Sequence, residues 1–572
     1  MGRPDSVCER IAAGGVWETR ERTGSHLWEV CLFHITGEGG ETAWACSVIA
    51  DMGMTSTRTA WDNPGAQCHS LLVESNTWFD ERRFQMEHYD RSALLVVPES
   101  GVAQPIPLPG SESWSTAADG GQPSRPRTNG TMNTLLPMDA PAHDWYRFVL
   151  SFPPHLVRDY AQRFDLGPDS RVLDPFCGTG TTLVEAKKLG VPSCGLEAVA
   201  LSRFAASTKV NWTPEPDGLL RHAELVAEKA RASLDADGIP DKPMDSAPER
   251  VELRSLPPPT AKLLFKNSIS ALPLHKVLVL RDTLEGEHNP AFVDHERLAL
   301  ARILPTEVGN LRFGPEVGVG KVKRDTAVVS AWLARIRGMC EDLRLLQQLE
   351  ATPAAAFDGD ARMVGPHIES ASIDAVITSP PYPNEKDYSR TVRLESVLLG
   401  YLNDRADLQT MKRGLLRSNT RGVYSNDDDD VWVEDDAEVE RIAAEIEARR
   451  VELGKTSGFE RMYHRVTKLY FGGMARHFVS LSRVLRPGAR LAYVVGDQAS
   501  YLRVMIRTGQ ILSKIAERAG YEVESVDLFR TRYATATREQ LREEVLVLRW
   551  PGAVSRSTRT MMRPRVQTAA VD

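Results

Sequence analysis

Arg171-Val172-Leu173-Asp174-Pro175-Phe176-Cys177-Gly178-Thr179-Gly180-Thr181-Thr182 is the stretch whose reading decides the fold. It opens as an apolar strand, and its glycines permit positive φ and a close backbone approach to a ligand. A helix is expected next, over 182–189. Asp174, at the strand's end, can accept hydrogen bonds from a cationic or hydroxylated ligand. The spacing is neither G-x-G-x-x-G nor G-x-x-x-x-G-K-[ST], so the lysine that grips nucleotide phosphates is missing. An acid-lined loop without that lysine suits a zwitterionic, phosphate-free nucleoside better than ATP.

Working outward, residues 192–197 form the next strand, and strands alternating with helices imply a parallel, doubly wound sheet. Residues 213–350 read as largely helical, with loop-like exceptions at 255–259 and 310–320. The α/β rhythm returns at 354–361, 373–378, 490–496, 521–529 and 544–550. A second insertion, about 400–460, carries a basic segment at 412–421 and an acidic run at 427–436. The aspartates at 427–430 read as a flexible loop rather than a metal site. Upstream, Phe152-Pro153-Pro154 opens a helix through Arg163. Residues 101–140 have the Gly/Pro/Ser/Thr composition of a linker. Residues 1–100 alternate β-like runs (26–35, 42–51, 70–74, 92–97) with turns and are expected to form a small α/β or mostly β domain. The tail, 551–572, is basic, polar and expected to be disordered.

Two further acids fall at strand ends. Glu197 closes the second strand, where a carboxylate can hold both hydroxyls of a ribose. Asp360 closes the third, where it can accept from an adenine amino group. The apolar run 373–377 then ends in Thr378-Ser379-Pro380-Pro381-Tyr382. Prolines cannot donate to a sheet or continue a central strand, so carbonyls stand free beside a serine hydroxyl and an aromatic ring. Such a group can grip a planar base bearing an exocyclic amine.

Together, Asp174-Pro-Phe-Cys-Gly-Thr-Gly-Thr-Thr182 and Ser379-Pro-Pro-Tyr382 resemble the S-adenosylmethionine-dependent DNA amino-methyltransferases, which methylate cytosine-N4 or adenine-N6. The resemblance covers about 140–212 and 354–550. It implies a Rossmann-like seven-stranded, mostly parallel methyltransferase sheet ending in an antiparallel hairpin, with helical insertions and a small N-terminal domain. It also implies S-adenosylmethionine held by Phe152, Asp174, Pro175, Phe176, Gly178, Thr179, Gly180, Thr181, Glu197 and Asp360. Ser379, Pro380, Pro381 and Tyr382 would then be catalytic, with Tyr382 stacking on a flipped-out base. Ser-Pro-Pro-Tyr is commoner among cytosine-N4 enzymes, so that amine is favoured over adenine-N6. The loop has no Pro-Cys nucleophile, which argues against ring-carbon methylation. The resemblance implies a prokaryotic modification or defence system acting on DNA. RNA as substrate, or a recognition subunit of a larger complex, are the alternatives.

Nucleic-acid contacts are expected from Arg390, Arg393, Lys412, Arg413, Arg417, Arg421, Arg530 and Arg532, because cations suit phosphate and guanine-edge readout. Either insertion can serve target recognition, and 310–321 reads as a shaped loop. The formal net charge of −7 gives no nucleic-acid signal by itself, so binding must come from local patches. Seven cysteines, an odd number without a C-x-x-C pair, suggest a reducing cytoplasm rather than a disulfide framework. The N-terminus lacks the apolar core of a secretory signal, and no apolar run approaches a membrane span. Cys31, His34, Cys46, Cys68 and His69 match no compact zinc pattern, so no metal is expected. Residues 1–140 are candidates for contacts with protein partners.

Overall fold

The computed structural model describes the backbone of five strands between residues 11 and 60. With side chains it describes residues 135–148, 151–248, 251–314, 316–384, 386–533 and 539–552. The runs expected at 70–74 and 92–97, most of the linker, Cys68, His69, the side chains of Cys31, His34 and Cys46, and the tail from residue 553 lie outside these residues. Two compact units emerge, Met1–Gln104 and Pro105–Asp572. In the first, β1 (Ile11–Ala13), β2 (Val16–Thr23), β3 (His26–Thr36), β4 (Thr42–Ala50) and β5 (Met54–Ala60) form an antiparallel sheet in sequential order.

The second unit is built on a seven-stranded sheet. Its strands are β6 (Val172–Asp174), β7 (Ser193–Glu197), β10 (Ala354–Asp358), β11 (Ile373–Thr378), β12 (Leu485–Gly496), β13 (Glu522–Ala534) and β14 (Glu539–Arg549). A small hairpin, β8 (Leu311–Phe313) with β9 (Val317–Val319), stands apart from it. The order across the sheet is β10-β7-β6-β11-β12-β14-β13, parallel except for β14. Successive strands run outward from β6 in one direction and then from β11 in the other. The crevice for a ligand therefore opens at the carboxyl ends of β6 and β11, where the order reverses.

β11 shows why its sequence is a continuous apolar run. Ile373, Ala375, Val376 and Ile377 are at most 1% exposed, because helices cover both faces of a parallel sheet. Its one charge, Asp374, sits at the strand's start. There it accepts from the Arg171 amide and from the Arg486 guanidinium, each at 2.8 Å.

Between β7 and β10 lie four long helices, Pro216–Ala236, Ala271–Gly286, Val293–Ile303 and Val329–Leu346. They bury an apolar stripe each, with Trp332, Ile336 and Leu343 of the last and Leu219, Ala223 and Val226 of the first in one core. The stretch 310–320 expected as a loop contains the β8–β9 hairpin instead. Buried Asn310 pins its base: its amide donates to Ser268 O at 2.7 Å, its carbonyl accepts from Gly320 N at 2.7 Å, and its Oδ1 accepts from Lys323 N at 2.9 Å.

The aspartate run also corrects the sequence reading. Asp429 is 2% exposed and accepts from Arg362 Nη1 at 2.5 Å and Arg476 Nη1 at 3.2 Å. The helix Tyr463–Leu481 packs directly on it, since a Cβ at Gly472 would stand 1.8 Å from the Asp429 carbonyl oxygen. A run expected as a flexible loop thus turns one carboxylate inward, where two arginines neutralise it. No helix among the described residues is long and apolar enough to cross a membrane.

Candidate active site

The turn after β6 is organised from beneath by Asp174. Its carboxyl is fully buried and accepts from Thr182 Oγ1 at 2.6 Å, Thr378 Oγ1 at 2.6 Å and Phe176 N at 3.1 Å. Thr182 also lies 3.0 Å from the Ile377 carbonyl oxygen. Asp174 therefore ties the first loop, the helix Thr181–Lys188 and the end of β11 into one knot, one residue before Ser379. Burial pushes its pKa up to about 6, against the three hydrogen bonds. From sequence Asp174 is expected to hold the ligand itself. Instead two threonines and a backbone amide engage it, and it does not line the cavity above.

Above the knot lies a cavity of about 330 Å³. Pro175, Phe176, Gly178, Thr179 and Thr181 line it, together with Phe152 and Pro153. Gly178 and Gly180 have φ of +52° and +83°, conformations that an L side chain resists. At Gly180 the space is closed as well, since a Cβ would meet Ala206 Cβ at 3.0 Å. Thr179 is a wall residue whose Oγ1 is buried and, among the described residues, has no hydrogen-bond partner. Beneath it, fully buried Lys209 donates from Nζ to the Thr179 carbonyl at 2.9 Å, and burial draws its pKa down to about 7.

Glu197 lines the same cavity at the end of β7. Oε2 accepts from Gly178 N at 2.9 Å and Oε1 from Val199 N at 2.7 Å, so each oxygen keeps a lone pair for a hydroxyl. Burial raises its pKa to about 7, opposed by the backbone bonds. Asp360 lines the cavity too, but Arg362 grips it from Nε at 3.0 Å and Nη2 at 2.6 Å.

Ser379, Pro380, Pro381 and Tyr382, at the end of the neighbouring strand β11, line the same cavity. The Ser379 hydroxyl donates to the Val494 carbonyl at 3.2 Å and also shares a hydrogen bond with Tyr382, which leaves one lone pair available. Among the described residues no backbone donor occupies the Pro380 carbonyl. The Tyr382 ring lies against the backbone of β12: a Cβ at Gly496 would stand 3.0 Å from it. Burial raises the Tyr382 pKa, helped by Glu543, so the phenol stays neutral.

Of the expected nucleic-acid contacts, only Arg530 and Arg532 reach the cavity wall. There they flank Glu543, with Arg530 Nε 2.5 Å and Arg532 Nε 3.6 Å from its oxygens. Arg390 lies over the Phe265 ring at 4.4 Å. Arg393 and Arg417 are corrections. Arg393 is 7% exposed and donates to Ser389 O at 2.9 Å and Ser389 Oγ at 3.0 Å. Arg417 is 4% exposed and forks onto Asp427 with two bonds of 2.8 Å. Lys412 pairs with Asp387 at 3.2 Å, Arg421 with Glu316 at 3.8 Å, and exposed Arg413 lies over Tyr424 at 5.5 Å. The basic segment is largely an internal brace.

Phe148, Tyr388, Asn384, Lys386 and Glu543 also line the cavity, and none of them stands out in the sequence reading. Phe148 and Tyr388 stack, with centroids 5.9 Å apart. Asn384 is within reach of a sequence argument, two residues after Tyr382. Glu543 is not, because a glutamate in a strand carries no mark of the cavity it lines.

No known protein family's profile matches the chain. It is similar to the Type II methyltransferase M.BsoBI of Geobacillus stearothermophilus, 25% identical over 419 residues, which span 66% of this chain and 78% of that protein. It is likewise 24% identical over 447 residues to the Type II methyltransferase M.AvaI of Nostoc sp. (strain PCC 7120 / SAG 25.82 / UTEX 2576), covering 72% of this chain and 87% of the relative. Among solved structures, TrmN from Thermus thermophilus aligns over 73% of this chain and 54% of its own length, with 11% identity and a TM-score of 0.23, too low to bear on either fold or function.

Proposed function

We propose that this chain is a DNA methyltransferase like the Type II enzymes it resembles, transferring a methyl group from S-adenosylmethionine to the exocyclic amine of a flipped-out base, with cytosine-N4 favoured over adenine-N6. One observation carries the reading: a single cavity joins a phosphate-free nucleoside wall to a Ser-Pro-Pro-Tyr wall.

The cofactor wall fits the group it would hold. Thr179 Oγ1 is buried and, among the described residues, unpartnered, Glu197 retains a lone pair on each oxygen, and Phe152 lines the same cavity as the glycine turn. When bound, S-adenosylmethionine supplies a sulfonium methyl: the C–N bond forms as C–S breaks, leaving a neutral thioether, and the amine's surplus proton goes to solvent.

The residues of the chain do the positioning. An exocyclic amine is a poor nucleophile because its lone pair is delocalised into the ring. Ser379 Oγ and the Pro380 carbonyl can accept its two N–H groups and hold the nitrogen pyramidal, with its lone pair freed. Tyr382 offers a ring for the base to stack on, worth about 1–3 kcal/mol against the cost of flipping. Orientation and fixed dipoles then carry the rate. The five-stranded sheet of the N-terminal unit is left, in this reading, for a protein partner.

The test is incubation with labelled S-adenosylmethionine and mixed-sequence DNA or RNA, followed by nucleoside mass analysis. N4-methylcytosine in DNA is expected. Ser379→Ala is expected to lower transfer by about 10²–10³ while cofactor binding persists. Transfer to RNA alone, or full transfer by Ser379→Ala, would overturn the assignment.

A further inference from the structure

The segment from residue 262 to residue 324 holds a set of cations that neither the fold nor the cavity uses. Lys262, Lys266, Arg312, Lys321 and Arg324 are all exposed. Among the described residues, none of the five enters an ion pair or a side-chain hydrogen bond, whereas Lys412, Arg417 and Arg421 of the basic segment are all paired. Unpaired exposed cations keep their full charge for a polyanion; a cation already paired must first give up its carboxylate.

Three of the five belong to the β8–β9 hairpin and the irregular segment that follows it, and this hairpin is pinned at its base. Asn310 Nδ2 donates to Asn267 O at 2.9 Å, adding to the three bonds that already pin its base. Lys323, which is turned inward, donates from Nζ to the Thr306, Glu307 and Gly309 carbonyls at 2.5, 2.9 and 2.8 Å. It caps the helical turn that precedes the hairpin, so the neighbouring Lys321 and Arg324 project from a fixed base. A fixed base reduces the entropy lost on binding.

The hairpin is also tied to a segment that lines the cavity. Glu316, at its tip, pairs with Arg421 at 3.8 Å, and Arg421 is two residues from the cavity-lining Asn419. Phe265, next to Lys266, lies under Arg390 at 4.4 Å, and Arg390 is two residues from the cavity-lining Tyr388. The acidic Glu316 is offset by Arg421 at 3.8 Å, whereas Arg312, Lys321 and Arg324 have no ion pair among the described residues.

We infer that the β8–β9 hairpin, through Arg312, Lys321 and Arg324, is a DNA-backbone contact surface that holds duplex over the cavity. The inference rests on the proposed methyltransferase reading and assigns its DNA contact to the helical insertion rather than to the 412–421 segment. The chemistry recognised is a row of phosphodiesters, and the occupant is double-stranded DNA.

The test measures binding of the full chain to a mixed-sequence DNA duplex by fluorescence anisotropy, between about 50 and 200 mM salt. Arg312→Ala/Lys321→Ala/Arg324→Ala is compared with a charge-matched control, Arg221→Ala/Arg441→Ala/Arg449→Ala, whose arginines are exposed and paired to glutamates elsewhere. Each phosphate left without its cation lowers the log–log salt slope by about 0.9, so the hairpin variant is expected to lose up to about 2.7 in slope and the control none. S-adenosylmethionine affinity in calorimetry, and the melting temperature, are expected to be the same in the hairpin variant as in wild type. If wild type transfers methyl groups to DNA yet the hairpin variant keeps its slope, the inference falls and the methyltransferase reading stands. If wild type neither transfers methyl groups nor binds DNA, that reading falls with it. Tighter binding of an RNA duplex, abolished in the hairpin variant, overturns DNA as the occupant.

Discussion

Thr378→Val removes one hydroxyl and little else, and it tests whether the knot around Asp174 joins the two halves of the site. Thr378 is fully buried, and valine matches its shape, so neither a cavity nor a clash is created. What disappears is the 2.6 Å donor to Asp174 Oδ1, which then keeps only the Phe176 amide at 3.1 Å. Leaving a buried charged group short of a partner costs about 1–3 kcal/mol. The unit Pro105–Asp572 is large, and unfolding entropy near 2 cal/mol/K per residue sums to about 1 kcal/mol/K, so the melting temperature should fall by only ~1–3 °C. The sharper readout is coupling. In an Asp174→Asn background the charge is gone, and Thr378→Val should cost less than half of what it costs in wild type. Both single variants should weaken cofactor binding and slow transfer, because the knot sits under one wall and immediately precedes Ser379. Differential scanning fluorimetry on the four proteins, with single-turnover transfer, makes the measurement. Additive shifts, or a Thr378→Val protein equal to wild type in both, would refute the view that Asp174 is an organiser rather than a ligand.

Gly180→Ala and Gly190→Ala both place a side chain at positive φ, yet only Gly180 faces a neighbour, Ala206, at 3.0 Å. Strain alone costs about 1–2 kcal/mol, so Gly190→Ala should lose that much in urea unfolding, and Gly180→Ala distinctly more together with cofactor affinity. Burial holds the Glu197 carboxyl at about pH 7, and its ionised form is the one that accepts two hydroxyls. Cofactor affinity should therefore rise with pH from about 6 to 8 in calorimetry, and Glu197→Gln should bind weakly with a flat profile. The same raised pKa means that the folded protein binds more protons than the unfolded chain between about pH 4.5 and 7. The contribution of Glu197 to stability should accordingly fall across that window as pH rises, and Glu197→Gln should remove this slope from the melting curve.

How far the site is legible depends on what kind of signal each residue carries. Ser379–Tyr382 and Gly178–Gly180 are readable because prolines and glycines restrict or free the backbone locally, whatever surrounds them. The strand 373–378 is readable from its apolar run, and 192–197 from its place in the alternation of strands and helices. Asp174 is found by its motif but not its neighbours, since the two threonines that hold it are 8 and 204 residues away in sequence. Arg393 and Arg417 read as exposed cations because a charge pattern says nothing about the carbonyls or the aspartate that fold over it. The 310–320 stretch reads as a loop because its two strands are three residues each, too short for periodicity to register.

By itself, then, the sequence determined the doubly wound sheet, the glycine turn and the Ser-Pro-Pro-Tyr exit, all of them consequences of short-range backbone chemistry. Only the tertiary structure decided which charges are spent and which are free. It turned Asp174 inward as a knot, gave Asp429 to Arg362, and left Arg312, Lys321 and Arg324 exposed and, among the described residues, unpaired. The physical reason is that a buried charge must find its partner, and the partner is chosen by proximity in space, which a linear pattern does not contain.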